Sequence, residues 1–279
     1  MTATLSIHEA LNRARAQINS DTPKLDAELL LGHVLNQNRT WLITWSDKPL
    51  SDTQLSTFQN LIAQRNKGLP IAYLLGSSGF WTLELAVNEH TLIPRPETEL
   101  LVEAALLRVP VEAAWNIVDL GTGSGAIALA LASERPLCSI HAVERSEAAL
   151  KQARENAATL KLPVQFHSGS WFEPLAGMAF ELIVSNPPYI PEQDPHLTQG
   201  DVRFEPDTAL SSGADGLDDI RHIAHTARQH LKPGGWLLLE HGYDQGEAVV
   251  QILRAEGYHE VDTIKDLAGH PRVGLGRYG

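Results

Sequence analysis

At 279 residues the chain is longer than one ordinary domain, which predicts a domain of about 200 residues beside a smaller one, each able to bury a core. A formal charge of −12 counts against a phosphate-backbone partner, because nonspecific nucleic-acid affinity comes from lysine and arginine displacing counterions, so no stable nucleic-acid binding is expected. The single cysteine, Cys138, excludes an intramolecular disulfide; no apolar run approaches membrane-spanning length, and residues 1–16 lack the apolar core of a signal peptide, so a soluble cytoplasmic protein without a membrane partner is expected.

Through about residue 70 the pattern is helical. Ser6 with Glu9 and Ser51 with Gln54 are capping boxes, Thr22-Pro23 is a cap followed by a first-turn proline, and Leu25, Leu29 and Leu30 mark an apolar face. Gly68 and Pro70 end the last of these helices, and residues 79–87 then alternate apolar and polar as a hairpin or linker strand does. This spacing predicts a helical domain over residues 1–75, a hairpin linker over 76–95 and the main domain over 96–279. From Asn116 onward strands at 117–120, 139–143, 164–167 and 180–184 alternate with helices from Ala126 and Glu147. A helix over 217–231, a strand over 236–240, a helix from Gln245 and strands near Tyr258 and Val273 complete the pattern. The alternation predicts an α/β domain with a mainly parallel sheet and right-handed crossovers.

Two loops of this domain carry chemistry. The segment Asp119-Leu120-Gly121-Thr122-Gly123-Ser124-Gly125 joins the first strand to its helix, and its glycines permit a tight turn with close backbone approach to a ligand. A plain strand-to-helix connector is the alternative. A pyrophosphate ligand is not favoured: Ala126 follows Gly125 where a dinucleotide fingerprint needs a different spacing, and no P-loop lysine follows. Glu144 ends the second strand, where a carboxylate can accept both hydroxyls of a ribose or cap the next helix. Trp171, after the third strand, either lies against an adenine face or packs in the core. The second loop is Asn186-Pro187-Pro188-Tyr189, directly after the apolar run 180–184. Two prolines cannot continue a sheet ladder, and the first pushes Asn186 out of the α region. The loop is either a tight turn after a buried strand or a clamp for a planar NH2-bearing group, with the Asn186 side-chain oxygen and the Asn186 or Pro187 carbonyl accepting hydrogen bonds and Tyr189 packing on the plane.

The order of Pro94-Arg95-Pro96-Glu97-Thr98-Glu99, Asp119 to Gly125, Asn186 to Tyr189 and Phe204-Glu205-Pro206 resembles that of the bacterial glutamine methyltransferases that modify peptide chain release factors, over essentially the whole chain including the helical amino-terminal region. The Asn186 to Tyr189 motif alone is also similar to that of amino-methyltransferases acting on adenine or guanine. The resemblance implies a class I S-adenosylmethionine-dependent methyltransferase domain with a seven-stranded sheet and a helical domain that helps dock a class 1 release factor. It implies N(5)-methylation of the Gly-Gly-Gln glutamine, with S-adenosylhomocysteine as the other product and no metal.

Carried onto this chain, the resemblance makes Gly121, Thr122, Gly123, Ser124, Gly125, Glu144, Trp171 and Asn186 the cofactor-binding residues. Asn186, Pro187, Pro188 and Tyr189 bind substrate, and Asn186, Pro187 and Tyr189 carry catalysis. Arg95, Glu97 and Thr98 either shape the cofactor pocket or cap the helix after Pro96. Two departures from the family pattern bear on cofactor affinity: Glu144 stands where an aspartate is usual, and Ser170 replaces an aspartate that often contacts the adenine amine. The neighbouring expectations are methylation of a ribosomal-protein glutamine, with identical chemistry, and amino-methylation of nucleic acid. A noncatalytic cofactor-binding module is a third. His222 and His225, three apart on a helix, are expected to be a solvated face and not a metal site.

Overall fold

The capping boxes predicted at Ser6 and Ser51 both form. In the computed structural model, which describes residues 5–279, Ser6 N donates to Glu9 Oε2 at 2.8 Å and Glu9 N donates back to Ser6 Oγ at 3.3 Å, opening α1 (Ile7–Gln17). Residues 1–4 of the amino-terminal pattern lie outside the described residues. The chain divides into two compact units between Ser77 and Ser78.

The first unit is helical: α1, α2 (Pro23–Leu35), α3 (Arg39–Thr44), α4 (Asp52–Asn66), opened by the Ser51–Gln54 box, and α5 (Ile71–Leu75). Its core is Ile7, Ala27, Leu30, Leu31, Leu42 and Phe58. The apolar face of α2 is turned from the expected one: Ala27, Leu30 and Leu31 are buried at helical spacing, whereas Leu25 is exposed. Thr22 also departs from expectation. Its hydroxyl donates to Asp26 Oδ1 at 2.9 Å instead of accepting a backbone N–H, because Asp26 is buried in an ion pair with Arg65 (2.8 Å) and draws the nearby donor.

A hairpin of β1 (Ser77–Phe80) and β2 (Leu83–Ala86) leads into the second unit, which continues through α6 (Glu99–Leu106), β3 (Asn116–Leu120), α7 (Ala126–Glu134), β4 (Ser139–Glu144), α8 (Glu147–Leu160), β5 (Gln165–Ser168) and β6 (Phe180–Ser185). It ends with α9 (Asp218–Ala227), β7 (Leu231–Glu240), α10 (Gly246–Ala255), β8 (His259–Lys265) and β9 (Pro271–Arg277). Seven strands form one sheet in the order β5-β4-β3-β6-β7-β9-β8, in which β9 runs opposite to the other six. Side chains alternate faces along each strand, so Ile117, Leu182 and Val184 pack into one layer with α6 and α7, while Val118, Leu120 and Ile183 pack into the other with α9 and α10. Each of these buried aliphatic side chains contributes about 1.5–3 kcal/mol by leaving water.

The helix expected over 217–231 stops at Ala227, and the strand expected from Trp236 begins at Leu231. Pro233-Gly234-Gly235 is a bulged stretch of β7, with the register shifting between Phe180 and Leu182 of β6.

The chain runs from β3 outward through β4 and β5, then returns to place β6 on the other side of β3. That reversal makes the carboxyl ends of β3 and β6 the switch point where open α/β sheets form their ligand crevice. Both chemistry-bearing loops lie there.

Candidate active site

The glycine turn after β3 is built on three left-handed glycines, with φ of +71° at Gly121, +57° at Gly123 and +89° at Gly125. Gly121 is also confined sterically, since a Cβ there would meet Trp171 Cζ3 at 3.3 Å. Asp119 lies beneath the turn, fully buried. Its Oδ2 accepts the Thr122 hydroxyl at 2.5 Å, its Oδ1 has no partner, and burial pushes its carboxyl up to about 7.

The turn opens on a cleft lined among others by Gly121, Gly123, Glu144, Ser170, Trp171, Asn186 and Pro188. Thr122, Ser124 and Gly125 are not on its wall. Thr122 is held by Asp119, the Ser124 carbonyl accepts Asn156 Nδ2 at 2.9 Å, and Gly125 abuts Leu129 at the start of α7. Glu144 closes one end. Its Oε2 accepts Gly123 N at 2.9 Å and its Oε1 accepts Ser146 N at 2.8 Å, which holds the carboxylate rigid and leaves a further lone pair on each oxygen for a diol. Trp171 sits at φ +48°, a conformation costly for a bulky residue, and its ring lies against the turn. His90, Leu92, Arg145, Ala149 and Thr208 also line the cleft. Their sequence gives no local sign of it, because they come from loops and a helix face brought together by the sheet.

A nucleoside fits these residues. Gly123 faces open space within 4 Å of where a Cβ would stand, a clamped carboxylate waits at the far end, and the unpartnered Asp119 Oδ1 leaves a buried acceptor under the turn.

A second cavity shares Leu92, Asn186 and Ala209 with the first. Pro187, Tyr189 and Arg95 line this one, whereas Pro188 faces the first. The loop is held by backbone bonds: Tyr189 N and Ile190 N both donate to the Leu210 carbonyl (3.2 and 2.9 Å), and Gln245 Nε2 donates to the Tyr189 carbonyl at 2.9 Å. Asn186 Nδ2 donates to the buried Thr98 hydroxyl at 3.2 Å. The Tyr189 hydroxyl donates to Glu240 Oε1 at 3.3 Å, and burial keeps the phenol protonated well above its usual range. Behind Arg95, a 2.5 Å ion pair with the buried Glu205 carboxylate, which also accepts Ile93 N at 3.2 Å, fastens the Pro94–Glu99 segment to the Phe204-Glu205-Pro206 turn.

Sequence reasoning missed Glu240, which is 2% exposed with Oε2 unpartnered and its carboxyl pushed by burial up to about 7. A signal existed: Glu240 ends an apolar strand just as Glu144 does. Thr98, expected either to shape the cofactor pocket or to cap the helix after Pro96, makes no side-chain cap at α6, and its hydroxyl accepts Asn186 Nδ2. His225 packs its Nδ1 against Glu256 at 3.1 Å. Among the described residues, no cluster of three or more His, Cys, Asp or Glu could hold a metal, and no helix is long and apolar enough to cross a membrane.

Known proteins sort the alternatives. Residues 9–76 match the PrmC N-terminal domain and residues 96–201 the methyltransferase small domain. The release factor glutamine methyltransferase of Vibrio cholerae is 52% identical over 99% of this chain and 98% of its own length, and that of Salmonella typhimurium is 50% identical over 98% and 97%. The chain belongs to the release factor glutamine methyltransferase family. A methyltransferase from Pyrococcus furiosus, 20% identical, superposes with a TM-score of 0.55 over 80% of this chain and 99% of that one, which shows a shared fold.

Proposed function

We propose that the chain uses S-adenosylmethionine to methylate the side-chain amide nitrogen of the Gly-Gly-Gln glutamine in class 1 peptide chain release factors, giving N(5)-methylglutamine and S-adenosylhomocysteine. The observation that carries this reading is Asn186: it belongs to the wall of both cavities, and its Nδ2 is committed to Thr98, which leaves its Oδ1 as an acceptor. Gly121 and Gly123 would hold the cofactor by backbone, Glu144 its ribose and Trp171 its adenine. Bound S-adenosylmethionine supplies an electrophilic methyl group.

An amide nitrogen is a weak nucleophile because its lone pair is shared with the carbonyl. What these residues contribute is placement, and orientation can remove about 7–11 kcal/mol of barrier where one neutral hydrogen bond nets about 0.5–1.5 kcal/mol. Asn186 Oδ1 and the Pro187 carbonyl, which accepts no backbone hydrogen bond among the described residues, would take the two amide hydrogens and aim the nitrogen lone pair at the cofactor cavity. Both bonds strengthen as the nitrogen becomes positive. Tyr189, with its hydroxyl turned to Glu240, presents its ring to pack on the glutamine stem. No base is needed before transfer, since the proton leaves a cationic nitrogen readily.

In the same proposal the helical unit docks the release factor, the setting is cytoplasmic and no metal takes part. Transfer of labelled methyl to purified release factor, compared with a factor whose loop glutamine is replaced, tests it. Label on the unmodified loop alone is expected. Label on neither, with cofactor bound, would contradict it and turn attention to ribosomal protein first and nucleic acid second.

A further inference from the structure

Glu240 stands at the carboxyl end of β7, where the preceding residue, Leu239, is in register with Ser185, the residue before Asn186. It is a buried carboxyl beside the amide clamp that the mechanism above does not use. Its Oε1 accepts the Tyr189 hydroxyl at 3.3 Å, the Thr98 hydroxyl also lies where it stabilises the charged carboxylate, and Oε2 has no partner. Thr98 in turn accepts Asn186 Nδ2. These contacts have one consistent polarity. A hydroxyl that accepts from Asn186 still has its own hydrogen to give, and an ionised carboxylate can only accept.

We propose that Glu240 is a positioning residue that sets the polarity of the clamp: as a carboxylate it draws the Thr98 and Tyr189 hydroxyl hydrogens toward itself, so that Thr98 holds the amino side of Asn186 and leaves the Asn186 oxygen for the substrate amide. This rests on the reading of Asn186 as a glutamine clamp. Once protonated, Glu240 has a hydrogen to donate to Thr98, the Thr98 hydrogen is released toward Asn186, and the Asn186 amide gains a reason to rotate and present NH2 to the substrate's NH2. The charged and titratable groups around Glu240 are Tyr189 after β6, Arg272 of β9, which favours the carboxylate, and Glu97 before α6, which opposes it; burial outweighs them and pushes Glu240 to about 7. Methyl transfer should therefore rise with pH as Glu240 ionises.

Steady-state transfer to release factor with Glu240→Gln, an isosteric change that abolishes the charge, tests this. The expected result is a fall in kcat of about tenfold or more, with KM for release factor and the S-adenosylhomocysteine Kd within about twofold of wild type, and loss of the rise in kcat between about pH 6 and 8. Should that variant fail to fold, the Thr98 pair decides: Thr98→Val cuts the relay at constant shape and loses kcat, and Thr98→Ser, which keeps the hydroxyl, recovers most of the loss. A wild-type kcat and pH profile in Glu240→Gln, a loss of cofactor binding parallel to the loss of kcat, or Thr98→Ser as slow as Thr98→Val would each overturn the proposal. A wild-type protein that labels no release factor would instead overturn the functional reading, a separable result.

Discussion

Asn186 and Thr98, 88 residues apart in the chain, are joined by a 3.2 Å hydrogen bond from the asparagine amide to the threonine hydroxyl. The bond decides which end of Asn186 is available to a ligand, and it makes the β6 loop and the start of α6 parts of one clamp. Replacing Asn186 with Ala removes an aimed acceptor and should lower kcat by about a hundredfold to a thousandfold, the range for losing one preorganised polar group. Titration calorimetry with S-adenosylhomocysteine on the same variant should show a cofactor affinity within about threefold of wild type. Unchanged kcat in folded protein would contradict the role.

The glycine turn separates strain from ligand contact. Gly121→Ala must adopt φ +71° and bring its methyl to 3.3 Å from Trp171, so a thermal melt should show a loss of about 1–2 kcal/mol or more. Gly123→Ala has the same backbone penalty, with nothing within 4 Å of the new methyl. It should cost less stability than Gly121→Ala yet weaken cofactor binding by about tenfold or more, because that empty space belongs to the cleft.

Asp119 couples stability to pH. Burial raises its carboxyl to about 7, above an unfolded value of about 3.9, so the folded chain favours the neutral form. Its contribution to stability is complete below the unfolded value and is lost as pH rises through about 7. Glu240, raised for the same reason, acts in the same window. Asp119→Asn should therefore flatten, without abolishing, the decline of cofactor-free melting temperature between about pH 5 and 8. The same variant should bind S-adenosylmethionine more weakly at pH 8. An unaltered slope would show that Asp119 does not titrate in the folded chain.

The Arg95–Glu205 pair predicts an asymmetry. Arg95→Met leaves a buried carboxylate without its cation and should destabilise more than the double change Arg95→Met with Glu205→Gln, by about 1–3 kcal/mol in chemical denaturation at pH 8. Glu205 is already raised by burial against the pull of Arg95, so without Arg95 it neutralises more readily and the gap should narrow toward pH 5. A gap independent of pH would contradict this.

The sequence made legible what is local. The Ser6–Glu9 and Ser51–Gln54 boxes, the glycine turn after β3 and the prolines after β6 each have a short-range physical cause, and each forms at the position its pattern indicates. Contacts made between segments distant in the chain were not legible. Thr22 gave its hydroxyl to Asp26 because Arg65, 39 residues beyond Asp26, had buried that carboxylate, and the Pro233-Gly234-Gly235 stretch joined β7 because the Tyr278 backbone pairs with Gly234 and Gly235. Glu240 was obscured for the same reason: a carboxylate ending a strand has a role only once its neighbours are known.

The most direct test of the central claim is peptide mass mapping of release factor after incubation with S-adenosylmethionine and either wild-type protein or Asn186→Ala. The account predicts a single methyl group on the Gly-Gly-Gln glutamine side chain with wild type, matched mole for mole by S-adenosylhomocysteine, and almost none with the variant. A methyl group on any other residue, or equal glutamine methylation by both proteins, would contradict it.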